Sequence, residues 1–126
     1  MVKGMNKAPF IFAMANPTPE IMPDLAYEAG ASIVGTGRSD LLNQVNNALV
    51  FPGLFKGLFT SGIRKVTSEI KMAVAFAIAQ SIEPTHDILM PSVFNTDVVP
   101  NIIASIAKLH EASVAFEAET LVGVED

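Results

Sequence analysis

Three asparagines stand where a neutral amide could hold a polar ligand. Asn16 follows an uncharged apolar run, and Asn46-Asn47 ends a polar loop and opens a short helix. A carboxamide both donates and accepts hydrogen bonds. Backbone N–H groups at a helix start also favour an anion. The same side chains have a plainer use: asparagine is a preferred helix N-cap, and on spacing alone capping is the commoner role for such a pair. Asn16 is open in the same way, between holding a turn and facing a ligand.

Other residue types offer less. The stretch Gly35-Thr36-Gly37-Arg38-Ser39-Asp40 contains glycines without G-x-G-x-x-G spacing, and G-x-x-x-x-G-K-[ST] is absent. The Arg38 fork suits a phosphate or carboxylate, but a solvated loop arginine, or one paired to Asp40, is the more ordinary role. His86 and His110 lack the companions of a metal site. His86 precedes Asp87, which is adjacency rather than a dyad. The carboxylates are scattered, no nucleophile–base arrangement stands out, and methionines such as Met72 and Met90 read as core filler.

The elements that would position these residues follow an α/β order. Residues 10–15 carry no charge and read as a strand buried on both faces, as in parallel sheets. Thr18, Pro19 and Glu20 resemble a helix start, but Pro23 would cost such a helix a hydrogen bond. A regular helix is therefore expected from near Pro23 to near Ala29, with Gly30 as its stop. Residues 31–35 read as a second buried strand, and strand–helix–strand order makes a parallel pair the default. Asn16 then sits at the carboxyl end of a strand, where open α/β sheets hold ligands.

Residues 36–46 are polar and turn-rich. A short helix is expected from Asn46 or Asn47 to Val50, broken or kinked at Pro52-Gly53, with a further turn or two over residues 54–59. The clearest helix covers residues 65–81, with Val66, Ile70, Ala73, Val74, Ala77 and Ile78 on one face. Residues 87–93 read as a short extended segment. A last helix spans residues 97–115, with Pro100 in its first turn and Ile102, Ile103, Ile106, Leu109 and Val114 on its buried side. The acidic tail to Asp126 is expected to be loose. The sum is two strands and four helices, a partial doubly wound, Rossmann-like parallel sheet with flanking helices.

Composition narrows the class. At 126 residues, half of them apolar and 17% charged, the chain is one packed domain at most. A net charge of −5 without a basic block argues against nucleic acid. The absence of cysteine excludes disulfides and thiolate metal sites and fits the cytoplasm. The most apolar uncharged stretch, residues 72–82, is far shorter than the roughly 20 residues of a membrane span. Lys3, Lys7 and Ala13-Met14-Ala15 have the form of a leader, but the apolar part is only about six residues, so the strand reading is preferred. Two parallel strands leave both flanks as open apolar edges. Those edges point to a homo-oligomer or to a missing N-terminal portion.

Four segments also carry a family resemblance. They are residues 12–20 (Phe-Ala-Met-Ala-Asn-Pro-Thr-Pro-Glu), 36–40 (Thr-Gly-Arg-Ser-Asp), 43–47 (Asn-Gln-Val-Asn-Asn) and 51–53 (Phe-Pro-Gly). In order and spacing they resemble the malic enzymes, most closely the shorter bacterial type, over residues 10–114 and most sharply before Gly53. The resemblance implies an enzyme that oxidises L-malate with NAD or NADP and decarboxylates the product to pyruvate, with Mg²⁺ or Mn²⁺. It implies that residues 1–126 are the C-terminal portion of the nicotinamide-binding domain. It places Asn16, Asn46 and Asn47 beside nicotinamide and malate, a role that neutral amides suit. These three carboxamides are expected to converge on one rim.

The family's catalytic tyrosine and lysine, its carboxylate metal ligands, its glycine-rich fingerprint and its ribose-reading acid lie in segments upstream of these. The sole tyrosine, Tyr27, does not match the catalytic one. The resemblance therefore implies no catalytic or metal-binding residue here, and no turnover by the chain alone. A non-catalytic oligomerising or partner-binding fragment is the competing expectation, and a truncated reading frame is a third.

Overall fold

The computed structural model describes the backbone of residues 1–122 and the side-chain burial of residues 1–116. Its elements are β1 (Phe10–Ala13), α1 (Pro23–Glu28), β2 (Ile33–Thr36), α2 (Phe51–Thr60), α3 (Ser68–Ala79) and α4 (Val98–Val122), with 3-10 turns at Val2–Gly4 and Asn47–Leu49. They form two compact units. The first comprises Met1–Asn46 and Glu83–Met90; the second comprises Asn47–Ile82 and the chain from Pro91 onward.

In the first unit β1 and β2 pair in parallel, with Phe10 opposite Ile33 and Ala13 opposite Thr36. A bridge between Thr36 and Gln44 adds a third parallel stretch beside β2. β1 stops at Ala13 rather than Ala15, because the Ala15 N–H donates to the Glu20 carboxylate (3.1 Å). The Asn16–Pro17 peptide that follows is cis. Helix α1 begins at Pro23, whose missing N–H costs nothing in a first turn. It ends at Gly30, with φ 102°. Gly30 N–H donates to Tyr27 O (2.9 Å) and Ala31 N–H to Ala26 O (3.0 Å), the paired bonds of a left-handed helix end.

Ala13, Ala26 and Val34 form this unit's small apolar core. The expectation of a strand buried on both faces fails for β1, where Phe10 is 57% and Phe12 51% exposed. β1 has β2 on one flank and, among the described residues, no strand on the other.

The second unit is helical. Pro52-Gly53 opens α2 instead of breaking it, because a proline in the first turn removes a donor that has no intrahelical partner. Gly53 and Gly57 lie one turn apart and face α4. A Cβ on Gly53 would stand 2.8 Å from Ile102 Cβ, and one on Gly57 would stand 2.7 Å from Ile106 Cδ1. Ile102 and Ile106 are fully buried there. Helix α3 starts three positions later than the periodicity suggests, since Thr67 Oγ1 caps it by accepting the Ile70 N–H (3.3 Å). Its buried side is Ile70, Val74, Ala77 and Ile78, while Val66 lies outside the helix and is exposed.

Ser105 Oγ donates to Ala73 O (3.2 Å) and Asn101 Nδ2 to Ser81 Oγ (2.9 Å), adding polar ties to this apolar packing. Val114 is exposed, so the buried side of α4 is shorter than expected. The helix itself continues to Val122. Residues 123–126, the end of the tail expected to be loose, lie outside the described residues. The extended segment expected at residues 87–93 is a series of bends and turns. Thr85 N–H donates to Ile88 O (2.9 Å) and Thr85 Oγ1 accepts the Ile88 N–H (3.1 Å), a local pairing that replaces any strand ladder. No described helix is long and apolar enough to cross a membrane.

Candidate functional site

β1, β2 and the Gln44 stretch run in the same direction, so their carboxyl ends emerge at one end of the first unit. Asn16 lies past β1, Gly37 and Arg38 past β2, and Asn46 past Gln44. The Asn16 side chain rests on Gly37: a Cβ there would stand 3.0 Å from its Nδ2 and 3.1 Å from its Oδ1. Glycine at 37 is what lets the amide lie against the β2 loop. The turn that carries Asn16 is held by the Glu20–Ala15 bond, which also keeps the Glu20 carboxyl below its usual range.

The β2 loop is fixed from beneath by Asn43. This side chain is 6% exposed and its backbone has φ 54°, a left-handed conformation that asparagine tolerates better than most residues. Its Nδ2 donates to Val34 O (3.3 Å) and His86 O (3.1 Å), and its Oδ1 accepts the Leu89 N–H (3.1 Å). The loop then rejoins β2 through Val45 N–H to Thr36 O (2.7 Å). Gln44 Nε2 reaches Gly37 O (3.4 Å).

His86 forms a second tie on the same segment. Its Nε2 donates to Ser32 O (2.7 Å), its Nδ1 faces Asp87 Oδ1 (3.1 Å), and its ring stacks on Tyr27 at 6.1 Å. The Tyr27 hydroxyl in turn accepts the Val34 N–H (3.2 Å). Asp87, and then the Ser32 carbonyl, favour the imidazolium and raise the His86 pKa.

Arg38 clasps Asp40 through Nε (2.8 Å) and Nη2 (2.5 Å). The pair is exposed, and it raises the Arg38 pKa while lowering that of Asp40. The loop arginine is thus already engaged.

Of the three asparagines singled out from sequence, Asn16 and Asn46 belong to the first unit, at the carboxyl ends of its parallel stretches. Asn16 is exposed and Asn46 half-buried. Asn47 belongs to the second unit, where it is exposed and opens the 3-10 turn closed by Val50 N–H to Asn47 O (3.0 Å). Asn43 and His86 were not singled out for these positions. The one local signal for Asn43 is that asparagine accepts a left-handed turn; its partners lie far along the chain.

This arrangement can bind and orient a polar ligand through neutral amides. It is poorly equipped for proton transfer, since Glu20, Arg38 and Asp40 are committed to local bonds. Among the described residues no three His, Cys, Asp or Glu side chains converge to hold a metal ion.

Comparison with known proteins adds the wider context. The family described as malic enzyme, NAD binding domain, matches residues 1–112. The bifunctional malic/malolactic enzyme of Bacillus subtilis is 50% identical over 111 residues, covering 86% of this chain and 27% of that protein. The NADP-dependent malic enzyme of Escherichia coli is 51% identical over 81 residues, covering 64% of this chain and 11% of that one. The crystal structure of malic enzyme from Pyrococcus horikoshii superposes with a TM-score of 0.85 at 40% identity, covering 89% of this chain and 26% of that one. The fold is α/β, of the Rossmann-like type found in those NAD-binding domains. The chain spans 27% or less of the length of each of these relatives.

Proposed function

The chain belongs to the malic enzyme NAD-binding domain family, and from that premise we propose that it is the part of a malic enzyme that faces nicotinamide and malate. The enzyme oxidatively decarboxylates L-malate to pyruvate with NAD or NADP. Asn16, Asn46 and Asn47 orient the substrate and the nicotinamide carboxamide. The observation that carries this role is the placement of Asn16 and Asn46 at the carboxyl ends of parallel stretches, where α/β sheets hold ligands. The bound dinucleotide supplies the hydride acceptor. The acid, the base and the ligands for Mg²⁺ or Mn²⁺ come from outside these 126 residues. Residues 1–126 act as one C-terminal portion of the nicotinamide-binding domain, in the cytoplasm, without nucleic-acid or membrane partners.

Grafting tests this. Residues 1–112 replace the matching segment of the Bacillus subtilis relative, and malate-dependent reduction of NAD or NADP is measured. The chimera is expected to turn over. Asn16→Ala and Asn46→Ala are each expected to lower kcat/KM about 10- to 100-fold, the loss of a hydrogen bond to a charged or polarised group. Full activity in both variants would defeat the site assignment. The 126-residue chain alone is expected to show no turnover with malate, Mn²⁺ and either dinucleotide.

A second reading is a non-catalytic module that works by association, as a homo-oligomer or with a separate N-terminal partner. The exposed Phe10 and Phe12 on β1 favour it. Sedimentation distinguishes the two, because a stable monomer counts against self-association.

A further inference from the structure

We infer that Asn43 is a positioning residue for this site: its buried amide ties the Glu83–Met90 segment to β2 and so fixes the loop that presents Asn46. The inference rests on Asn46 facing the ligand. Every polar atom of the Asn43 side chain is spent on backbone. Val34 O belongs to β2, whereas His86 O and Leu89 N–H belong to a segment more than forty residues away in sequence. The segment therefore serves as a strap with two anchors, Asn43 at residues 86 and 89 and the His86 ring on Ser32 O (2.7 Å).

The consequence for Asn46 follows from chain direction. The left-handed turn at Asn43 (φ 54°) aligns Gln44 with Thr36 and sets the Val45 N–H on Thr36 O (2.7 Å). Asn46 follows directly and leaves at the carboxyl end of β2. Without the Asn43 amide, the buried Val34 carbonyl and the partly buried His86 carbonyl and Leu89 N–H lose this partner, and a loop rarely keeps its shape around such orphans.

The test uses the ¹⁵N-labelled 126-residue chain. Asn43→Gly keeps the left-handed freedom and removes the amide. Hydrogen exchange at Val45 is expected to accelerate at least about tenfold, and the Asn46 carboxamide resonances are expected to shift. Ile70 and Ile106, in the other unit, keep their exchange rates. Faster exchange at Leu89 with Val45 and Asn46 unchanged would reduce Asn43 to an anchor for the strap and overturn the inference.

If Asn43→Gly collapses the first unit, His86→Phe decides. It keeps a ring on Tyr27 and removes the anchor on Ser32. A smaller change of the same sign at Val45 and Asn46 is expected, and no change there would overturn the inference. The site assignment fails separately: Asn46→Ala with unaltered kinetics in the chimera would sink it, whatever the spectra of the Asn43 variant show.

Discussion

In the second unit, two glycines on α2 admit two isoleucines of α4 to contact distances that no side chain at 53 or 57 could share. In the first, one buried amide and one imidazole hold a strap and a loop to β2 through backbone oxygens. One unit is built by shape fit between apolar surfaces and the other by fully satisfied polar groups over a small core. The contrast teaches where each is vulnerable. Shape fit fails when volume is added, whereas a polar clasp fails when a partner is removed.

Asn43→Ala is expected to have the largest effect. It orphans three backbone groups and puts a Cβ-bearing residue without a stabilising amide at φ 54°. A loss of about 2–3 kcal/mol, confined to first-unit amides, is expected by native-state hydrogen exchange. Loss spread equally over both units would erase the contrast.

Gly53→Ala comes next, with an expected loss of about 2 kcal/mol from overpacking, after a helix-propensity gain of about 1 kcal/mol. Ile102 Cβ and Cδ1 both stand 2.8 Å from the added methyl, and the Cβ cannot swing away. Gly57→Ala meets first the flexible end of Ile106, at Cδ1, and is expected to cost about half as much. Urea titration of the pair sharpens the comparison, and equal midpoints would show that helix axes, not side chains, absorb the strain.

Smaller still is a pH effect in the first unit. The His86 pKa is raised on folding by Asp87 and Ser32. Its contribution is therefore complete below about pH 6.5, the unfolded value, and fades as pH rises through the folded value. The lowered Glu20 and Asp40 act oppositely: their contributions are present above their unfolded values and are lost in acid. First-unit melting is thus expected to decline on both sides of mildly acidic pH. His86→Phe should abolish the alkaline decline, and a decline that persists would point to another group. The smallest effect belongs to Asp40→Asn, which frees an exposed arginine. The melting temperature is expected to fall only slightly, as for most exposed ion pairs.

The same division governs what could be read in advance. Helices α3 and α4 announce themselves because their apolar residues recur at helical spacing, which is a local property. Their ends were less legible, since the start of α3 depends on the Thr67 hydroxyl reaching Ile70 N–H. Pro52 was misread because a proline breaks a helix or begins one according to where the first turn falls. β1 and β2 were visible as apolar runs, and so was their parallel order. The exposure of Phe10 and Phe12 was not, because it depends on neighbours. Asn16 could be placed from the strand-to-turn logic alone. Asn43 could not, since its value lies in residues 86 and 89, which no local pattern joins to it.

The fit of Gly53 against Ile102 has a consequence for how this sequence can drift. Neither position is free to vary by itself: a methyl gained at 53 calls for carbon lost at 102. Across descendants of this chain, alanine at the first should be rare and should travel with a smaller residue at the second, which clears Cδ1 but, unless it is glycine, still leaves a Cβ in the way. A lineage showing the first change without the other would have to have found its room by moving a helix.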